Sequence, residues 1–332
     1  MIELIFLLLP LFLVLILYFW KRENIIRGWN IFKESLSFLK ARKGLFLVPF
    51  LAFALMVVST VCIFALLYLI FVFLFPMNAI VGVILTIILF IILGYLYFFI
   101  RVLCTAMITA GVYGSEFGDD TFTSFRHLKG DYPALAKFAA LLFGFSILTS
   151  IIEGLLQRAG PIGAVVGKIS MNILRWAVAF VTTYTIAAIV IENIYSIKSA
   201  VKRSIHIIKS TWVEVIFKDF IGILFGIIIL LFIFGEIGII YITFLFIPSI
   251  LNIYTIITAI TAAFIAGIVL ALIYYIISVI YVTKLYLYFI KAERGIAVPG
   301  EAPWSAPMGY YNPIVATPER YSALERIERF FS

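Results

Sequence analysis

The chain has 332 residues, of which 64% are hydrophobic and only 13% are charged. Soluble domains are about 45–50% apolar and about 25% charged, so a water-soluble fold of this length is excluded. The net charge of +8 is compatible with nucleic-acid binding, but the basic residues lie in short loops between long apolar runs, which disfavours that function. The composition predicts an all-helical, polytopic integral membrane protein.

Seven apolar runs are each long enough for the ~20 residues that a helix needs to cross a bilayer. They cover residues 2–20, 45–75, 78–100 with an apolar extension to 113, 134–152, about 171–191, 220–247 and 254–282. The first run lacks a preceding basic region and a small-residue cleavage site, so we expect an uncleaved anchor. The predicted organisation is an anchor over residues 1–20, a helical membrane domain over 21–295 and a tail over 296–332.

Basic residues are distributed unevenly among the predicted loops. Seven lie between residues 21 and 43, five lie between spans five and six, and six follow span seven. Only Arg158 and Lys168 clearly fall in loops on the opposite side. Because short cytoplasmic loops carry the excess of Lys and Arg, we predict a multi-pass protein of the cell membrane with its N-terminus outside and its C-terminus in the cytoplasm.

The segment IIRGWNIFKESLSFLKARKG, residues 25–44, is basic and amphipathic. Apolar residues recur at helical spacing on one face, namely Ile25, Trp29, Phe32, Leu36 and Leu39. We predict a helix that lies along the inner membrane surface, with Arg27, Trp29, Lys33 and Lys40 in contact with lipid headgroups.

A similar segment, KRSIHIIKSTWVEV, occurs at residues 202–215. When Arg27 is aligned with Arg203, RGWNIFKES and RSIHIIKST share Arg, Ile and Lys. Arg203, Lys209 and Trp212 are therefore the corresponding candidates for the lipid surface. A weaker relative, SFRHLKGDYPALAKF, precedes span four. These segments predict three helical hairpins, each preceded by a basic segment, although shared selection for interfacial helices could also produce the likeness.

Several motifs together resemble those of a known family. They are R-G-W-x-x-F-K-x-S from Arg27 to Ser35, Pro49, T-x-Y-x-x-A from Thr182 to Ala187 with Glu192 after it, A-x-K-R-S from Ala200 to Ser204, and K-x-T-W from Lys209 to Trp212. Over residues 25–250 the chain resembles a family of bacterial and archaeal polytopic membrane proteins known only as a domain of unknown function. It departs from that family in its first span and its long C-terminal tail. The resemblance implies a helical membrane domain and no established activity.

No catalytic, phosphate-binding or dinucleotide-binding motif is present in the sequence. His127 and His206 lack metal-ligand spacing, and Cys62 and Cys104 lack C-x-x-C spacing. The acidic group Glu116, Asp119 and Asp120 suits helix capping, with a bound cation as the alternative. We predict a non-enzymatic protein without a cofactor or a metal site.

Polar residues within the apolar spans are functional candidates by default. Arg101 marks either the inner interface or the interior of a long tilted helix. Arg175 lies at the outer end of span five if that span begins near residue 171, and near the midplane if it begins at 161. Thr182, Thr183, Tyr184 and Thr185 form the most polar cluster in any predicted span. These hydroxyl groups could line a path or could bond within and between helices.

Two functions follow as alternatives. The first is a transport or channel-like component, or the membrane subunit of a translocation complex, for a small solute, protein or DNA. The second is a membrane-organising protein that binds anionic lipid and recruits a protein partner through an amphipathic C-terminal helix over residues 317–332. That helix could instead dock on lipid or on the protein itself. Small residues at four-residue spacing, such as Gly222 and Gly226, suit a compact bundle or a homo-oligomer.

Overall fold

The computed structural model describes residues 22–116, 119, 125–158, 160–246 and 253–293. Over these residues the secondary structure is helical and contains no strand. Six of the described helices are long and apolar enough to cross a membrane. The prediction of a multi-pass helical membrane protein is confirmed at this level. The predicted first span at 2–20 and the C-terminal tail at 296–332 lie outside the described residues.

The longer helices of the described chain are named here in order. They are α1 (Arg22–Ala41), α2 (Leu47–Leu69), α3 (Ala79–Glu116), α4 (Tyr132–Arg158), α5 (Pro161–Glu192), α6 (Ile197–Phe246) and α7 (Ile253–Glu293). Short 3-10 turns precede α2 and α4, at Lys43–Phe46 and His127–Gly130. A π-helical turn, Ile70–Leu74, follows α2 and leads to Phe75–Met77. Pro76 gives no N–H to the preceding turn, which accounts for this irregular end.

Two helix boundaries differ from the sequence-based expectation. The second basic segment is continuous with span six in α6, whereas α1 is separated from α2 by a 3-10 turn. No Gly or Pro occurs between Ile197 and Ile221, so no residue there interrupts the helix. The backbone leaves helical geometry only at Thr211, with φ −118° and ψ 18°. Helix α5 begins at Pro161, where Gly160, at φ 94°, turns the chain and Pro161 fits the first helical position.

The described helices divide between two compact units. Unit one contains α1 together with residues Thr211–Tyr281, which belong to α6 and α7. Its core places Ile31 of α1, Phe217 of α6 and Ile276 of α7 in buried positions. Phe217 lies where a side chain on Gly28 would collide with it, since a Cβ there would be 2.8 Å from Cδ1 of Phe217. The absence of a side chain at Gly28 therefore allows α1 to approach α6 closely.

Unit two spans Leu47–Ser210 and continues from Val282. Most of its buried residues lie at one end of the helices, in the stretches 102–112, 134–142, 184–191, 200–207 and 282–290. Because successive helices run in opposite directions, these stretches meet at the same end. Towards the other end apolar side chains are exposed, including Ile80 at 73% and Leu155 at 61%. Such exposed apolar surface suits contact with lipid acyl chains.

One pair of glycines in α6 provides a matched test of helix packing in unit one. A Cβ on Gly222 would overlap the Tyr274 hydroxyl, which donates a hydrogen bond to the Lys218 carbonyl at 3.2 Å. A Cβ on Gly226 would meet open space among the described residues. We expect Gly222→Ala to lower the free energy of unfolding by about 1–3 kcal/mol through overpacking, and Gly226→Ala to be neutral. Thermal unfolding of both variants in lipid nanodiscs checks this, and equal effects would contradict it.

Candidate functional site

Arg203 of α6 binds two carboxylates in unit two. Its Nε donates to Glu192 Oε1 at 2.8 Å. Its Nη1 and Nη2 donate to the two oxygens of Glu293 at 2.9 and 2.5 Å. The Tyr286 hydroxyl donates a further hydrogen bond to Glu192. The geometry is bidentate towards Glu293 and joins the ends of α5 and α7 to the beginning of α6.

The surroundings of Arg203 are largely shielded from solvent. The side chains of Arg203, Glu192 and Glu293 are only 14%, 11% and 18% exposed. The guanidinium also lies over the Phe289 ring at 5.7 Å. His206 is 3.7 Å from Glu293 but is itself exposed. In the described part of the chain no three His, Cys, Asp or Glu residues gather to hold a metal.

A related cluster lies in unit one around Glu214 of α6, which is fully buried. Glu214 Oε1 accepts hydrogen bonds from Asn24 Nδ2 at 3.0 Å and Arg27 Nη1 at 3.4 Å. The Tyr281 hydroxyl donates to the backbone carbonyl of Glu214 at 2.9 Å. Glu214 Oε2 has no hydrogen-bond partner among the described residues. This carboxylate is therefore only half satisfied.

The two basic segments bury several of the same positions when Arg27 is aligned with Arg203. Each segment has a half-buried Arg that contacts a carboxylate. The buried aligned pairs are Gly28 with Ser204, Ile31 with Ile207 and Ser35 with Thr211, and the exposed pairs are Trp29 with Ile205, Asn30 with His206 and Lys33 with Lys209. A shared burial pattern is what a duplicated segment would produce. The three-hairpin repeat stays a prediction.

The candidate lipid-surface residues fall into two groups. The exposed group comprises Trp29, Lys33, Lys40, Lys209 and Trp212. Trp29 is 44% exposed, and the Lys33 ammonium lies 5.5 Å from its ring. Arg27 and Arg203 instead direct donors to carboxylates of their own units. The structure thus distinguishes outward-facing lysines from inward-facing arginines, a difference that the sequence pattern does not reveal.

The polar cluster of α5 has partners mostly within its own helix. The hydroxyls of Thr182, Thr183 and Thr185 donate to the carbonyls four residues earlier, at 2.7, 3.4 and 2.7 Å. Thr185 Oγ1 also lies 2.9 Å from Ser204 Oγ. Tyr184 is buried with its ring 6.3 Å from that of Tyr286. These bonds agree with a packing role, and the interpretation of the cluster as a path stays a prediction.

Arg175 lies within α5 and forms an ion pair with Glu153 of α4. Its side chain is 44% exposed. At ~1.5 Å per residue it stands about 26 Å along the helix axis from Glu192. A hydrocarbon core about 30 Å thick with one boundary at Glu192 would have its other boundary within about one turn of Arg175. Although α5 begins at Pro161, the distance to Glu192 therefore favours an interfacial position for the pair over the midplane position that this start was expected to imply.

Sequence reasoning missed Asp131, which immediately precedes α4. Its side chain is buried, and the Tyr195 hydroxyl bonds to it. Its Oδ1 has no partner among the described residues. Burial raises the pKa of Asp131 to about 7, although the Tyr195 hydrogen bond acts in the opposite direction. Glu214 and Glu293 were also missed. The one signal for Glu214 in the sequence is its position between Val213 and Val215.

The fold places the chain in the class of multi-pass helical membrane proteins. No family model matches the chain, and no curated protein matches it. The resemblance to the family known as a domain of unknown function therefore stays a prediction.

Proposed function

We propose that the protein organises the cytoplasmic surface of the cell membrane by binding anionic lipid. The observation that supports this most is that each basic segment exposes corresponding residues within its own unit. Lys33 and Lys209 occupy equivalent exposed positions, while the equivalent arginines are turned to carboxylates. Lysines near an anionic leaflet contribute about 1 kcal/mol each, and aromatic side chains such as Trp29 prefer the headgroup level.

In this proposal the partly buried Arg–carboxylate pairs fix the orientation of each basic helix and so of its exposed lysines. When contacts within the protein already hold a helix in place, its exposed side chains lose less conformational entropy on binding lipid. Membrane lipid is the principal partner, and the C-terminal tail would recruit a protein partner or a second copy of the chain. The proposed orientation has the N-terminus outside and the C-terminus in the cytoplasm, as the distribution of Lys and Arg predicts.

A comparison of two double variants tests the proposal. Lys33→Gln with Lys209→Gln removes two equivalent exposed charges, and Arg158→Gln with Lys168→Gln removes two exposed charges predicted to lie on the opposite side. We expect phosphatidylglycerol nanodiscs to raise the melting temperature of the wild type above its value in phosphatidylcholine, since a ligand that binds the folded state stabilises it. The lysine variant should show a smaller rise at low salt, which corresponds to a loss of about 2 kcal/mol of the free energy of lipid binding.

The control variant should retain the gain in phosphatidylglycerol. Added salt should reduce the difference between the two lipids in the wild type, because exposed charges are screened. Equal losses in both double variants, or equal melting temperatures of the wild type in both lipids, would reject lipid recognition by these segments.

Transport, or a role as the membrane subunit of a translocation complex, is the second candidate function. The observation that favours it is the buried, half-satisfied Glu214, because ionisable groups in apolar helices often mark a route for ions or solutes. Cysteine accessibility tests a path along α5 in a background without Cys62 and Cys104. Labelling of positions 175, 182 and 185 by a membrane-impermeant reagent would support transport, and a dry α5 would support the lipid-binding proposal.

A further inference from the structure

The clusters around Arg203 and Arg27 have similar parts but differ in completeness. In each, an arginine from a basic segment faces a glutamate that is fully or largely shielded, and a tyrosine of α7 lies beside that glutamate. Arg203 contacts its carboxylates at 2.5 to 2.9 Å and directs all three of its guanidinium nitrogens to them. The bidentate contact with Arg203 and the hydrogen bond from Tyr286 offset the cost of shielding these carboxylates from water.

The unit-one cluster is incomplete by comparison. A carboxylate offers about four lone-pair sites on its two oxygens, yet both donors to Glu214 bond to Oε1. Arg27 lies at 3.4 Å, near the upper limit of a hydrogen bond. The tyrosine of this cluster, Tyr281, bonds to the backbone of Glu214 and not to its carboxylate.

We propose that Glu214 is a proton-binding site of unit one. A fully buried carboxylate with one unpartnered oxygen is costly, and such a group is commonly neutralised. The groups that face it are Asn24 and Arg27 from α1 and Tyr281 from α7. Along its own helix the nearest cation, Lys218, pairs with Asp219 at 3.0 Å. Binding of one proton converts the carboxylate to a neutral acid whose Oε1 keeps the Asn24 bond. This site does not depend on the proposed lipid binding.

Infrared spectroscopy of the full chain in lipid tests the proposal, with isotope-labelled glutamate to separate glutamic from aspartic acid signals. The experiment uses a Glu236→Gln background, since Glu236 also stands in an apolar stretch. At pH 7 we expect a labelled band from a protonated glutamic acid, which exchanges slowly in heavy water because Glu214 is buried. Glu214→Gln should abolish this band, and Glu34→Gln on α1 should leave it unchanged.

The conservative variant Glu214→Asp keeps the result decisive if Glu214→Gln does not fold. Since aspartate carries no label, the labelled band should vanish while the carboxyl group remains. One outcome needs no substitution at Glu214. If the protein that retains Glu214 shows no labelled band from a protonated acid at pH 7, the proposal is overturned. Survival of the band in Glu214→Asp would also overturn it.

Discussion

Arg203→Ala is expected to lower the free energy of unfolding by about 3–5 kcal/mol, because it leaves two largely shielded carboxylates without their cation. Glu192 and Glu293 are only 11% and 18% exposed, so water cannot fully replace the guanidinium. Thermal unfolding of the purified variant in nanodiscs, monitored by intrinsic fluorescence, measures the loss.

Arg175→Ala is the matched control for that substitution. Arg175 also pairs with a glutamate, Glu153, but its side chain is 44% exposed. Exposed ion pairs contribute about 0–1 kcal/mol, so its removal should shift the melting temperature little. Combining Arg203→Ala with Glu192→Gln and Glu293→Gln should recover part of the lost stability. A loss from Arg203→Ala no larger than that from Arg175→Ala would show that burial does not strengthen the Arg203 cluster.

Asp131→Asn is expected to flatten the dependence of stability on pH between about 4 and 7. The pKa of Asp131 is raised from 3.8 to about 7 by burial. The folded state therefore keeps a proton that the unfolded state releases, and the contribution of Asp131 to stability is complete below pH 4 and falls as pH rises to about 7. One pKa unit corresponds to about 1.4 kcal/mol, which limits this fall to about 4 kcal/mol. Melting temperatures measured across this range test the expectation.

Glu23→Gln, at an exposed carboxylate of α1, should retain the pH profile of the wild type. Tyr195→Phe should extend the fall to higher pH, because the Tyr195 hydrogen bond favours the charged form of Asp131. A profile of Asp131→Asn that parallels the wild type would contradict the assignment of this pH dependence to Asp131.

The membrane-spanning helices were predictable because the length of an apolar run is a strong physical constraint in a bilayer. Their ends were less predictable. Helix α6 begins at Ile197, well before the apolar run at 220, since polar residues continue a helix when no Gly or Pro intervenes. Similarly, α5 begins at Pro161, before the run at 171, where Gly160 and Pro161 supply the turn.

The buried face of α1 was predicted only in part. The apolar face was predicted to lie on the membrane surface, but Ile25, Phe32 and Leu39 are buried within the protein, together with Gly28, while Trp29 is exposed as its predicted headgroup position requires. Hydrophobic periodicity predicts burial of a tryptophan before that of a glycine. Where a neighbouring helix approaches closely, however, the residue without a side chain fits the contact better. Phe217 occupies the space beside Gly28.

The candidate sites show the same limit of local patterns. Alignment of the basic segments singled out Arg27 and Arg203, because their spacing is visible in the sequence. It did not identify Glu214 or Glu293 as their partners, since these residues lie 187 and 90 positions away along the chain. Pairing over such separations is decided by tertiary packing, which helical periodicity does not encode.

The position of the buried core in unit two has a consequence for the membranes in which the protein can reside. Most of its tightly packed residues gather at one end of the helices, whereas exposed apolar residues such as Ile80 lie towards the other. Hydrophobic mismatch costs only fractions of a kcal/mol per Å, and helices adjust to it by tilting. We therefore expect lipids with longer or shorter acyl chains to alter the coverage of the exposed halves while the packed end stays intact, so that folding tolerates a range of bilayer thicknesses.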